Sequence, residues 1–364
     1  MYFFAQDRLG FTSADNLWLA LAFGAAYVIG ALGSHSLARR VSEKPLLVAL
    51  LCGQTVAHAA MGVWPVTGVV FAGSTVLGCM QGMKWPLVET YISAGLGQKQ
   101  TASAIGRFNI AWASAGPLAL LAAGPIIRFC PPGLFVLPAV LNGVSLWLTR
   151  PLARSPVHLP ANHPERPAGG QMARLAALLT ASRWLLLVSY AAMWILAAMM
   201  PDIFRDLGFG IVAATALAGL IDLLRLGAFV GLQRYTGWHG RMATLVAGMI
   251  GLPIGFFAVA FGRVTGVVVA GEVAFGLAAG MVYYAALYYA MVVKNASVDA
   301  GGGHEGLIGL GFAIGPAAGL LGVALAPVLG HDILGILVGV GPIFAACTAG
   351  AVKALRREGA GKDP

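Results

Sequence analysis

The chain has 364 residues, of which 59% are apolar, and only 10% carry a charge, far below the roughly 25% usual in soluble domains. That balance excludes a soluble, a disordered or a disulfide-stapled secreted protein and points to an all-α polytopic membrane protein. The net charge of +9 is read as basic loops that set orientation in the bilayer, not as a nucleic-acid surface.

Crossing the hydrocarbon takes about 20 apolar residues of helix. Numbered by a twelve-helix plan, the apolar runs give span 2 at 17–38, span 3 at 46–63, span 4 at 66–94, span 5 at 102–126 and span 6 at 134–148. After a polar, proline-rich stretch come span 7 at 184–203, span 8 at 209–233, span 9 at 243–261, span 10 at 266–293, span 11 at 307–329 and span 12 at 333–354. Residues 172–179 read as a short separate amphipathic helix. The eleven spans divide into an N-terminal bundle (1–150), a linker (151–182), a C-terminal bundle (183–354) and a tail (355–364). Sixteen of the 23 Lys and Arg fall on one side, from Arg39, Arg40 and Lys44 through Arg166 and Lys294 to Lys362, against four (Arg8, Arg128, Arg205, Arg263) on the other. The positive-inside rule makes the first side cytoplasmic, with the C-terminus inside and Met1 outside.

The chain repeats itself in parallel. Leu-Gly-Phe at 9–11 recurs at 207–209, an offset of 198. At the same offset Ala72, Gly73, Gly78, Gly82 and Met83 match Ala270, Gly271, Gly276, Gly280 and Met281, and Gly116-Pro117 matches Gly315-Pro316 at 199. Three ordered matches drifting by one residue exceed what glycine content alone produces. The repeat also exposes an imbalance. A complete span precedes the second Leu-Gly-Phe, but only eight residues precede the first. Either a first helix of about 20 residues lies upstream of Met1, which the repeat favours, or the chain is a native eleven-span protein.

Two parallel six-span halves joined by a cytoplasmic loop resemble the major facilitator superfamily, over the whole chain minus a first helix. The loop after span 2, Gly33 to Pro45, is similar to that family's G-x-x-x-D-R-x-G-R-K motif. Arg40 and Lys44 take its basic positions. Arg39 stands where the motif has Asp, and Ser42 where it has Gly, so its charge relay is not reproduced in full. The Gly-Pro pairs of spans 5 and 11 (Gly116, Pro117, Gly315, Pro316) resemble the family's glycine-rich, proline-kinked motif. The resemblance implies gating at these positions. It also implies a monomeric carrier of a small-molecule solute in the cell inner membrane, with protons as the coupling ion.

Charge inside a bilayer is costly and marks cavities, pairs or ion paths. Here the intramembrane candidates, which are the charged residues together with Asn109 and His304, fall on spans 4, 5, 8, 10 and 11 and spare spans 3, 6, 9 and 12, which the family places on the outside. Lys84 is either a ligand for an anionic group or the partner of a carboxylate across the cavity. Glu89 and Arg107, on adjoining helices, are expected to pair as a latch or to contact solute. Asp222 and Arg225, three apart, share a face and can pair; the acid is either self-satisfied or the proton-coupling group. Glu272 reads as a solvated mouth residue in preference to a second proton site. Tyr284 and Tyr288 share a face, as interfacial anchors or as cavity residues complemented by Trp85, Asn109 and Trp112. Pro86 beside Trp85 suggests a break in span 4. His304 and Glu305 lie at the cytoplasmic start of span 11. His35, Gln54, His58 and Asn142 read as interhelical hydrogen-bonding groups.

No P-loop, Gly-x-Ser-x-Gly or His-Glu-x-x-His is present, and Cys52, Cys79, Cys130 and Cys347 form no Cys-x-x-Cys. No ATP site, metal centre, cofactor or enzymatic constellation is therefore expected. The leading expectation is a secondary active transporter for a small polar organic solute. The alternative is a degenerate, non-transporting relative that senses or binds a partner.

Overall fold

The computed structural model describes residues 1–96, 98–157, 169–293 and 298–360. The centre of the expected linker (158–168, with Arg166), the loop 294–297 with Lys294 and the tail 361–364 with Lys362 lie outside the described residues. The helices are α1 (Tyr2–Leu9), α2 (Ser13–Val41), α3 (Glu43–Val63), α4 (Thr67–Ser93), α5 (Gln98–Phe129), α6 (Gly133–Leu148) and α7 (Gly169–Asp206). They continue with α8 (Ile211–Ala218), α9 (Leu220–Arg234), α10 (Ala243–Phe261), α11 (Thr265–Val293), α12 (Val298–Leu329) and α13 (Asp332–Ala360).

Among the described residues, nine segments are long and apolar enough to cross a membrane. The protein is a multi-pass membrane protein. The expected eleven spans are not reached by that measure, for two physical reasons. α4 carries Gln81, Lys84 and Glu89, and α6 is only 16 residues long. α6 still presents an apolar outer face: Val136, Leu137, Val140, Leu141, Val144 and Trp147 are all exposed.

Several expectations shift in detail. Residues 172–179 are not a separate helix but the first turns of α7. Span 8 divides into α8 and α9 at Gly219. Pro86 sits inside an unbroken α4. α12 begins at Val298, so His304 and Glu305 lie inside the helix and are buried, not at its mouth. Gln54 accepts from Lys84 Nζ at 3.2 Å, and His58 meets Asn142 across α3 and α6 at 3.4 Å.

The sequence repeat is a packing repeat. Gly10 and Gly208, the glycines of the two Leu-Gly-Phe motifs, both adopt the left-handed conformation that favours glycine, at φ 70° and 85°. An added Cβ at Gly78 of α4 would lie 2.4 Å from Phe23 O of α2, and one at Gly276 of α11 would lie 2.5 Å from Ile221 O of α9. Residues 23 and 221 are themselves 198 apart. Gly82 abuts Tyr27 O, and Gly280 abuts Arg225 O, again 198 apart. Small residues let these backbones approach as side chains would not. The repeat therefore superposes Tyr27 on Arg225, and both side chains reach the same central cavity.

Candidate functional site

A cavity of about 370 Å³ lies between α2, α4, α5, α7, α9, α11 and α12, with Met1, Tyr2 and Phe3 at one side. Its wall is largely aromatic: Phe23, Tyr27, Trp85, Trp112, Tyr190, Trp194, Tyr283 and Phe312. Trp194 stacks on Phe312 with ring centres 3.8 Å apart, and Trp112 meets Tyr283 edge-on at 5.2 Å. Rings held by other rings are fixed surfaces, preorganised for a flat apolar face.

Three ionisable groups face this wall: Asp222, Arg225 and Glu305. Arg225 is 4% exposed. Its guanidinium lies 4.6 Å from the Trp112 ring centre, 5.1 Å from that of Tyr283 and 5.3 Å from that of Tyr190. A delocalised, weakly hydrated cation suits such a cage. It donates a hydrogen bond to the Tyr190 hydroxyl and pairs with Asp222 Oδ1 at 3.7 Å. The expected Asp222–Arg225 pair is thus formed, but loosely, and the Asp222 side chain keeps 29% of its surface open.

The structure gathers Trp85, Trp112, Asp222 and Arg225 on the cavity. Asn109 stands behind them, fully buried, and accepts from Trp112 Nε1 at 3.1 Å. The other candidates are elsewhere. Lys84 turns outward to Gln54 of α3, with its Nζ 5.1 Å from the Trp85 ring centre. Arg107 is exposed and forms no ion pair with Glu89, which is buried beside His304 and Glu305 of α12. Glu272 is fully buried, not a solvated mouth residue, and its carboxylate makes no hydrogen bond among the described residues. Tyr284 and Tyr288 point away from the cavity. The Tyr284 hydroxyl donates to Gln233 Oε1 at 2.7 Å, and Tyr288 stacks on His239 at 4.4 Å. Their neighbour Tyr283 is the one on the wall.

At the basic end, Arg39 and Arg40 are exposed. Lys44 Nζ donates to the carbonyls of Arg150 and Leu152 at 2.8 and 2.9 Å, tying the α2–α3 turn to the segment after α6. Gly315 lets α12 approach α7: a Cβ there would lie 2.2 Å from Ala191 O, one residue before Pro316. Gly116 and Pro117 face the α8–α9 break. A Cβ on Gly116 would lie 2.9 Å from Asp222 Cγ, and Pro117 Cα lies 3.8 Å from the Cβ position of Gly219.

Residues 1–320 match the family model described as Major Facilitator Superfamily. The chain belongs to the major facilitator superfamily. Among curated proteins of that kind it is 29% identical over 260 residues to the Escherichia coli tetracycline resistance protein, class C. That match covers 67% of this chain and 62% of the relative, so the chain spans less than two thirds of the relative's length. Among solved structures it is similar to the human organic anion transporter MFSD10 (TETRAN), with TM-score 0.67, 14% identity and coverage of 92% of this chain and 83% of that one. It is also similar to the proton:xylose symporter XylE bound to 6-bromo-6-deoxy-D-glucose, with TM-score 0.70, 11% identity and coverage of 94% and 86%. These two likenesses establish the major facilitator fold.

Within that fold, sequence reasoning missed Phe23, Tyr27, Tyr190, Trp194, Tyr283 and Phe312 as wall residues and left Glu305 out of the site. One signal could have found Tyr27: subtracting the repeat offset from Arg225 gives residue 27. The contact of Gly116 with Asp222 makes a direct test. Gly116→Val is expected to displace the carboxylate, to lengthen its pair with Arg225 and to cost about 1–3 kcal/mol by overpacking. A lowered melting temperature in detergent would show it.

Proposed function

We propose that the chain is a secondary active transporter of the bacterial inner membrane. It carries an organic solute through the central cavity by alternating access, with Asp222 as the proton-coupling acid. The observation that carries this reading is the Asp222–Arg225 pair, set loosely against an aromatic wall where the two repeats meet. A loose pair open to a cavity can exchange its partner for a proton or a solute charge. The wall refines the solute class. A wholly polar compound would leave eight rings unused, so the fitting solute has an apolar ring face and a polar or charged rim. The names of the similar proteins set the panel: tetracycline, an organic anion and xylose. We place the boundary between the two bundles in the sequence between α6 and α7, and the C-terminus in the cytoplasm, as the repeat and the basic loops suggest.

The purified protein in proteoliposomes with an imposed proton gradient tests this. Accumulation of a panel solute that collapses with an uncoupler is the expected result, with tetracycline favoured over xylose. Saturable binding without flux would instead support the sensor or binding reading. In the same preparation Trp112→Ala removes a ring that contacts both Arg225 and Tyr283. Equilibrium dialysis is expected to show solute binding about tenfold weaker.

A further inference from the structure

Below the aromatic wall, toward the basic end, lies a second polar group that the transport reading does not use. Glu89 of α4 and His304 and Glu305 of α12 bring one ligand atom each within 4.8 Å of one another. All three side chains are buried, at 2%, 1% and 3% exposure. Neither ring nitrogen of His304 makes a hydrogen bond among the described residues. Burying an imidazole with both nitrogens unused is costly unless something else accepts or supplies a bond there. We propose that Glu89, His304 and Glu305 form a binding site for one divalent transition-metal cation.

Four observations fit that occupant. First, charge: two carboxylates in a buried site favour a cation over an anion or an apolar occupant. Second, the donor set: one nitrogen and two carboxylates suit Mn²⁺, Fe²⁺, Co²⁺ or Zn²⁺, whereas Mg²⁺ and Ca²⁺ favour oxygen alone. Bond lengths of about 2.0–2.2 Å place ligand atoms up to about 4.3 Å apart, so the 4.8 Å spread closes with a small side-chain rotation. Third, the support: the Tyr27 hydroxyl donates to Glu305 Oε2, the kind of outer contact that orients a ligating carboxylate. Fourth, the path: Glu305 also lines the central cavity, which gives an ion a way in.

The site bridges the repeats. Gly301, one turn before His304, packs so closely on α4 that a Cβ would lie 2.8 Å from Glu89 Oε2 and 3.0 Å from Pro86 Cα. A bound ion would staple α4 of the first repeat to α12 of the second.

The test uses the full, untagged chain in lipid nanodiscs, freed of metal by a chelator and then titrated with Co²⁺ or Mn²⁺. It reads binding, so it stands or falls separately from transport. One Co²⁺ per chain with visible ligand-field bands is expected. Glu89→Gln and His304→Gln should each weaken binding at least about tenfold. Pulsed electron paramagnetic resonance of bound Mn²⁺ should show coupling to one imidazole nitrogen, a signature that needs no variant to fold. Absence of saturable binding by the wild type overturns the proposal, and so does bound Mn²⁺ without nitrogen coupling. Equal affinity in a correctly folded His304→Gln variant overturns it as well.

Discussion

Asp222→Asn is expected to abolish gradient-driven accumulation of solute while leaving solute binding and downhill exchange measurable. The change removes one charge and keeps the shape. Arg225 then stays 4% exposed inside its aromatic cage without the carboxylate that lies 3.7 Å away. Removing one partner of a buried pair costs about 3–5 kcal/mol. The open flank of Asp222 and the bond from Arg225 to Tyr190 place this case at the lower end. The variant should therefore fold. What it loses is the ability to change charge: an amide cannot take up a proton, so the pair cannot open in response to one. Parallel measurements separate the steps, with uphill uptake lost and counterflow between equal solute pools retained. Unchanged uphill uptake would move the coupling away from Asp222, to the buried carboxyl of Glu272.

The fold was legible because the bilayer and the repeat constrain it so strongly. Runs of about 20 apolar residues have one solution in lipid, and the 198-residue offset ties Gly78 and Gly82 to Gly276 and Gly280. What was not legible was rotation about each helix axis. Tyr283, Tyr284 and Tyr288 are all buried on α11, and the sequence does not say which of them faces the cavity. The pairing of Tyr284 with Tyr288 as one face was correct, but that face meets Gln233 and His239. The Glu89–Arg107 expectation failed for a related reason. It assumed that helices adjacent in sequence supply the partner. α4 instead meets α12, more than 200 residues away, through Gly301. The run Gly301-Gly302-Gly303 also hid the start of α12. It reads as a loop, yet it is helical because glycine is what close packing demands: a Cβ on Gly302 would lie 3.2 Å from Ala31 O of α2.

Gly276→Leu is expected to yield no folded protein, and Gly78→Leu to fail in the same way. Each glycine faces a backbone carbonyl, Ile221 O at 2.5 Å and Phe23 O at 2.4 Å from the Cβ position. A carbonyl in a helix cannot rotate aside as a side chain can, so the whole helix must move. For α9 that movement carries Asp222 and Arg225 with it, and for α2 it carries Tyr27. Overpacking by even one methylene costs about 1–3 kcal/mol, and four added carbons against backbone exceed that. Gly276→Ala should fold with a reduced melting temperature. Gly266→Leu, on the same α11 but with no atom within 4 Å of its Cβ position, should behave as wild type. Monodispersity on size exclusion and thermal melts in detergent check all four. Equal failure at residues 78 and 276 would mean that the two repeats depend on the same backbone contact. Tolerance at one alone would mean that one half of the cavity is free to move while the other holds it in place.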